Sequence, residues 1–180
     1  MADEITYRVD FTIFPTPDPA ALQRFLGGVL SIDVHPDRVD AGLDGLGAIL
    51  YMDPPIAVAE RCELIAWLRA HPWVQSFSES VVPVAELAYE FITRAAPVQA
   101  AGTIAGRPLY FHARGREWSF AVGDDAWSDP VSVDAEASGG WFRGGVLAER
   151  FDASYLLIAE AETIIQLCAR EYLAGGPPRE

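Results

Sequence analysis

The sequence predicts one α+β domain over residues 1–180, with a mixed or antiparallel sheet packed by three or four helices. Three observations carry that expectation. A period-2 strand followed by an amphipathic helix opens the chain, a β-hairpin turns at Gly115-Arg116, and a long apolar-striped helix closes it. The first half therefore reads β-α-β-α, and the second as a hairpin or meander plus one helix, which is an α+β order.

In the opening segment Ile5, Tyr7, Val9, Phe11 and Ile13 alternate with Thr6, Arg8, Asp10 and Thr12. That is the signature of a half-buried strand, and Pro15 and Pro17 end it. Asp18 then stands as an N-cap before Pro19, and Leu22, Phe25, Leu26, Val29 and Leu30 repeat at helical spacing. Residues 31–47 are polar and turn-rich. The apolar run 48–52 reads as a second, buried strand stopped by Asp53-Pro54-Pro55. This β-α-β-α opening is compatible with a split β-α-β sheet of the ferredoxin-like kind.

A helix is expected over 57–70, with Val58, Cys62, Ile65 and Leu68 inward and Glu60, Arg61, Glu63 and Arg69 outward, ended by His71-Pro72. Residues 73–82 lean towards a strand. Pro83 opens a further expected helix through Thr93, with Leu87, Ala88 and Phe91 inward. The small-residue stretch 97–106 reads as a loop and as the one candidate sub-boundary. Residues 108–122 read as a hairpin. Leu109, Phe111 and Ala113 face one way and Tyr110, His112 and Arg114 the other, with Trp118, Phe120 and Val122 as the apolar set across the turn. Short strands at 131–133 and 141–147 are candidates. The closing helix is expected over 154–173, with Leu157, Ala161, Ile164, Ile165, Cys168 and Tyr172 inward and Gly175 at its C-terminal end. Residues 175–180 read as a frayed tail.

Composition narrows the function by exclusion. All thirteen cations are arginines, against twenty-six carboxylates, for a net charge of −13. Without lysine there is no Schiff-base or P-loop lysine and no amine general base. Without asparagine there is no N-glycosylation acceptor. A repulsive phosphate term argues against nucleic acid and anionic membrane as partners. The acidic N-terminus differs from a secretory signal and no apolar run reaches bilayer length, so a bacterial cytoplasmic protein is expected. Cys62 and Cys168 read as small buried hydrophobes of a reducing compartment. No zinc, serine-hydrolase or phosphate-loop signature is present, and no cofactor is expected.

Three constellations remain. Asp33, His35 and Asp37 share one side of an extended segment, the spacing of a metal or acid/base site, although Pro36 interrupts it and solvated-loop roles suit the same residues. Arg107, His112, Arg114 and Arg116 gather about the hairpin and could grip a phosphate or carboxylate, or simply form its polar face. Asp124, Asp125, Asp129, Asp134 and Glu136 follow with no cation between Arg116 and Arg143, flanked by Trp127 and Trp141. Aromatics beside carboxylates would suit a basic protein partner; the alternative is a solvated loop with core-anchored tryptophans. The expected function is an acidic protein-binding module, of inhibitor or immunity type, that covers a basic partner. The alternatives are a small metal-dependent or acid/base enzyme using Asp33, His35 and Asp37, and a homodimeric or ligand-binding module.

Overall fold

The structure, a computed structural model, describes residues 7–13, 38–41, 47–52, 57–72, 74–123, 140–147 and 152–175. The chain forms two compact units, Met1–Val82 and Pro83–Glu180. It is α+β, with two antiparallel sheets and, among the described residues, two helices. Neither helix is long and apolar enough to cross a membrane.

The first unit contains β1 (Tyr7–Ile13), β2 (Arg38–Ala41), β3 (Gly47–Met52), α1 (Val58–Ala70) and β4 (Val74–Val81). Its strands lie in the order β2-β3-β1-β4, every pair antiparallel. Helix α1 thus carries the chain from β3 to β4 across β1, which runs opposite to both. The described part of this unit is a split β-α-β crossover. β2 falls in the stretch that sequence reading treats as loop. The helix expected over 18–30 lies outside the described residues.

Tyr7 and Val9 face inward from β1, as their alternation requires, while Arg8 and Asp10 pair with each other on the opposite face. Phe77, Glu79 and Val81 share the inner face of β4, because Val9 stands opposite Glu79 and Tyr7 opposite Val81. Helix α1 buries Val58, Arg61, Leu64, Ile65 and Leu68. Arg61, expected to point outward, is only 1% exposed.

The reason lies on β4. Arg61 Nε donates to Glu79 Oε1 at 2.8 Å and its Nη2 donates to Glu79 Oε2, a bidentate fork. The Tyr7 hydroxyl donates to the same Glu79 Oε1 at 2.7 Å. One carboxylate therefore joins a helix to two strands with three hydrogen bonds. Burial opposes the charge on Arg61, but the Glu79 carboxylate more than restores it. Burial first, then Glu79, pushes the Tyr7 hydroxyl well above the ordinary phenol range, so it remains a donor.

The second unit holds β5 (Leu87–Arg94), β6 (Val98–Ile104), β7 (Arg107–Arg114), β8 (Glu117–Val122), β9 (Trp141–Val146) and α2 (Ile158–Leu173). The five strands form an antiparallel meander in chain order. Two expectations are corrected. Residues 83–93 do not form a helix: Leu87, Tyr89 and Phe91 alternate with exposed Ala88, Glu90 and Ile92 along β5, the period of a strand with one covered face. Residues 97–106 are not a loop, because their small side chains serve a close-packed central strand. An added Cβ on Gly102 would stand 1.9 Å from the Ala88 carbonyl oxygen, so only glycine fits.

The expected hairpin is present, with Leu109 opposite Val122, Phe111 opposite Phe120 and Ala113 opposite Trp118. Gly115 takes φ +66°, as the first position of a II′ turn requires. All six of those side chains are buried; each of the large ones contributes roughly 1.5–3 kcal/mol of apolar burial. Helix α2 covers that face. Tyr172 packs edge-on to Trp141, Glu171 accepts from Arg143 Nε at 2.9 Å, and Gln166 accepts from the Val84 amide at 2.8 Å. The helix begins at Ile158 rather than 154, so Leu157 is its N-cap and is exposed, contrary to its place in the inward stripe. Ala161, Ile164, Ile165 and Cys168 are buried as expected. Neither cysteine is in a disulfide; Cys168 is buried and Cys62 half-buried.

The Arg61–Glu79 pair sets the first prediction. Glu79→Leu leaves a buried guanidinium without its counter-charge and is expected to cost about 3–5 kcal/mol. Pairing it with Arg61→Met is expected to recover most of that loss, and Tyr7→Phe to cost about 1 kcal/mol. Chemical denaturation of the three variants measures this; equal losses in the single and double variants would show that the pair is not what holds α1 to β4. Gly102→Val, which drives a side chain into the β5 backbone, is expected to prevent folding of the second unit, seen as loss of the near-ultraviolet tryptophan signal.

Candidate functional site

The meander gives the second unit two faces, and the pleat decides which candidate residues share one. On β7, Arg107 has the parity of Leu109, Phe111 and Ala113, whereas His112 and Arg114 have that of Tyr110. Arg107 therefore belongs to the helix-covered face at the far end of the strand, roughly 23 Å from Arg114 at 3.3 Å per residue. The basic cluster is divided. His112, Arg114 and Arg116 stay together at the hairpin turn, and Arg107 stands apart.

His112 is half-buried, its ring stacked on Tyr110 at 6.4 Å with 13° between planes. Tyr110 itself is buried with Ala101 and Ala121, and Phe142 packs against them. The face that alternation assigns as polar thus has an apolar centre, with His112 and Arg114 at its turn end. Burial, then the Arg114 guanidinium, pushes the His112 imidazole below its ordinary value. Glu117 stands opposite Arg114 in register.

The turn is fixed by Ser154, a buried residue that sequence reading placed inside a helix. Its hydroxyl oxygen accepts from the Gly115 amide at 2.7 Å, and its carbonyl accepts from the Ala96 amide at 3.0 Å. The Ala153 amide donates to the Gly115 carbonyl at 3.1 Å, and the Leu147 amide to the Arg116 carbonyl at 2.7 Å. Four separate segments are therefore held at one end of the unit. No short motif could have announced this, since the partners come from distant parts of the chain.

The acidic residues Asp124, Asp125, Asp129, Asp134 and Glu136, with Trp127, lie outside the described residues. Their anchors are described. Val122 pairs with Trp141, and a Cβ on Gly123 would lie 3.2 Å from the Gly140 Cα. The carboxylate-rich segment therefore leaves and rejoins the sheet at one point. Trp141 is half-buried, between Phe120 at 6.0 Å and Tyr172 at 5.8 Å, both edge-on. That geometry anchors its ring in the core. Asp33, His35 and Asp37 also lie outside the described residues. Among the described residues no three His, Cys, Asp or Glu side chains gather as metal ligands.

The buried Arg61–Glu79–Tyr7 group is what sequence reading missed. A signal existed: Arg61 continues the Val58, Ile65, Leu68 stripe, and Glu79 alternates with Phe77 and Val81. A cation and an anion each on an apolar face form a matched pair.

The lowered His112 value has a pH consequence. The folded imidazole favours its neutral form, so the unfolded chain takes up the proton first as pH falls. The contribution of His112 to stability is full above the ordinary histidine value of about 6.5 and is lost below it. Urea midpoints are expected to fall between about pH 7.5 and about pH 5.5, less steeply in His112→Gln. His71 shifts the same way through burial, so the variant removes only part of the effect. Equal slopes in both proteins would contradict the assignment.

No protein-family model, curated protein sequence or solved structure matches this chain, and the functional reading therefore stands on its own residues and geometry.

Proposed function

We propose that the protein is a stoichiometric protein-binding module, of inhibitor or immunity type, whose carboxylates cover a basic partner. One observation carries the reading. The segment 124–139 holds five carboxylates and no cation, and its two ends are brought together by the β8–β9 ladder. A net charge of −13 adds long-range attraction for a cationic protein surface. Arginine in place of lysine leaves the cations that are present in planar forks, suited to orienting a complex through carboxylates.

In this reading the acidic segment gives speed and orientation of encounter, and Trp127 supplies apolar contact. The test is association kinetics against a cationic nuclease or toxin. The rate is expected to fall steeply as salt rises, and Asp124→Lys with Asp125→Lys and Asp129→Lys to slow it about tenfold or more at low ionic strength. Association indifferent both to salt and to those three changes would refute the proposal.

A further inference from the structure

Two indole donors on the helix-covered face of the second unit have no acceptor in the fold. Trp118, Phe120 and Val122 of β8 stand opposite Gly145, Arg143 and Trp141 of β9, the last strand of the meander. Those three β9 positions share one face at two-residue spacing, roughly 6.6 Å apart. Trp118 is 2% exposed and its ring lies across Gly145, where a Cβ would stand 2.7 Å from the indole Nε1. The Trp141 ring stands 6.0 Å from that of Phe120, the residue opposite Arg143. The two indoles therefore flank Arg143. Both Nε1 atoms are buried, and neither has a hydrogen-bond partner.

Arg143 itself gives its Nε to Glu171 at 2.9 Å, and its side chain is 32% exposed, so the row opens to solvent between the indoles. A guanidinium carries five donors, of which that bond uses one. A buried donor left unpaired forfeits its desolvation cost, and folded proteins leave few of them. Two such groups beside one guanidinium indicate an acceptor supplied from outside the chain. Charge decides its kind. Glu171 already compensates Arg143, and the chain carries −13, so an anion gains little locally and is repelled at long range. An uncharged acceptor takes the indole bonds without that cost. The surroundings are aromatic: Phe111 stacks on Trp118 at 6.5 Å, and Phe120 and Tyr172 stand edge-on to Trp141. Apolar and aromatic walls with a few convergent polar groups are how small-molecule sites are built.

We propose that Trp118, Trp141 and Arg143 form the donor side of a binding site for a small, uncharged aromatic molecule bearing carbonyl oxygens. The ligand enters at Arg143, its carbonyls accept from the indole N–H groups, and its ring packs among Phe120, Trp141 and Tyr172. The site is separate from the acidic segment and does not depend on a protein partner.

Nuclear magnetic resonance on the isotope-labelled full chain tests this, because each of the five tryptophans gives its own indole N–H signal. Para-diacetylbenzene is expected to move the Trp118 and Trp141 signals downfield, saturably, and to leave the other three in place. Para-diethylbenzene has the same shape without acceptors, and terephthalate the same shape with two charges. Each is expected to bind about tenfold more weakly or worse, the loss that about 1.4 kcal/mol represents. Trp141→Phe keeps an aromatic wall, removes one donor and is expected to weaken para-diacetylbenzene about tenfold. Trp118→Phe is expected to do the same, with circular dichroism confirming the fold. If that buried variant does not fold, the Trp118 signal of the unaltered chain, identified by its proximity to Gly145, carries the test. Equal binding of para-diethylbenzene would make the site merely apolar, and tighter binding of terephthalate would make it an anion site. Indole signals that contact water and stay in place on ligand addition would make the acceptor a bound water. Each of these three results overturns the proposal.

Discussion

In an antiparallel ladder successive side chains point to opposite faces, and once the register is set no residue can choose its side. Both units of this chain depend on that constraint. In the second unit it places Leu109, Phe111, Ala113, Trp118, Phe120 and Val122 beneath α2 and sends His112 and Arg114 to the other face. In the first it sets Tyr7, Val9 and Glu79 on the inner face and Arg8 and Asp10 on the outer. What each residue can do chemically follows from its parity before its type matters.

The buried Arg61–Glu79–Tyr7 group shows that constraint under stress. A carboxylate on the inner parity of β4 cannot turn to water, so it must be paired where it stands. Arg61, one helix turn beyond Val58, supplies the paired charge and Tyr7 a further donor. Such a group adds little net stability over apolar packing, yet it punishes any other placement of α1, because misregister strands a buried charge.

The second unit separates scaffold from working surface differently. Its aromatic ladder, from Phe111 and Trp118 to Trp141 and Tyr172, fixes the helix-covered face. Arg143 and Glu171 pair within that face, and His112 and Arg114 lie on the other. Ser154 gathers three turns at one end, and the β8–β9 ladder gathers the ends of the acidic segment.

Period-2 alternation in β1 and 108–122, the Gly115 turn and the apolar stripe of the last helix were legible in the sequence, because each is a local pattern with a local cause. The α+β class followed from their order. Residues 83–93 misled because Leu87, Phe91 and the proline at 83 satisfy a helix as readily as a strand; pairing with Val98–Ile104 decided the matter. The small residues of β6 looked like a loop until Gly102 was seen against the Ala88 carbonyl. Arg61 looked like a solvent residue until Glu79 stood opposite. His112, Arg114 and Arg116 were found from sequence, but not the loss of Arg107 to the other face. The sequence by itself determined the charge, the excluded chemistries and the local periodicities. Register, partner identity across the sheets and the meeting of distant turns at Ser154 were decided only by tertiary structure, since hydrogen bonds between remote segments leave no periodic trace in one chain.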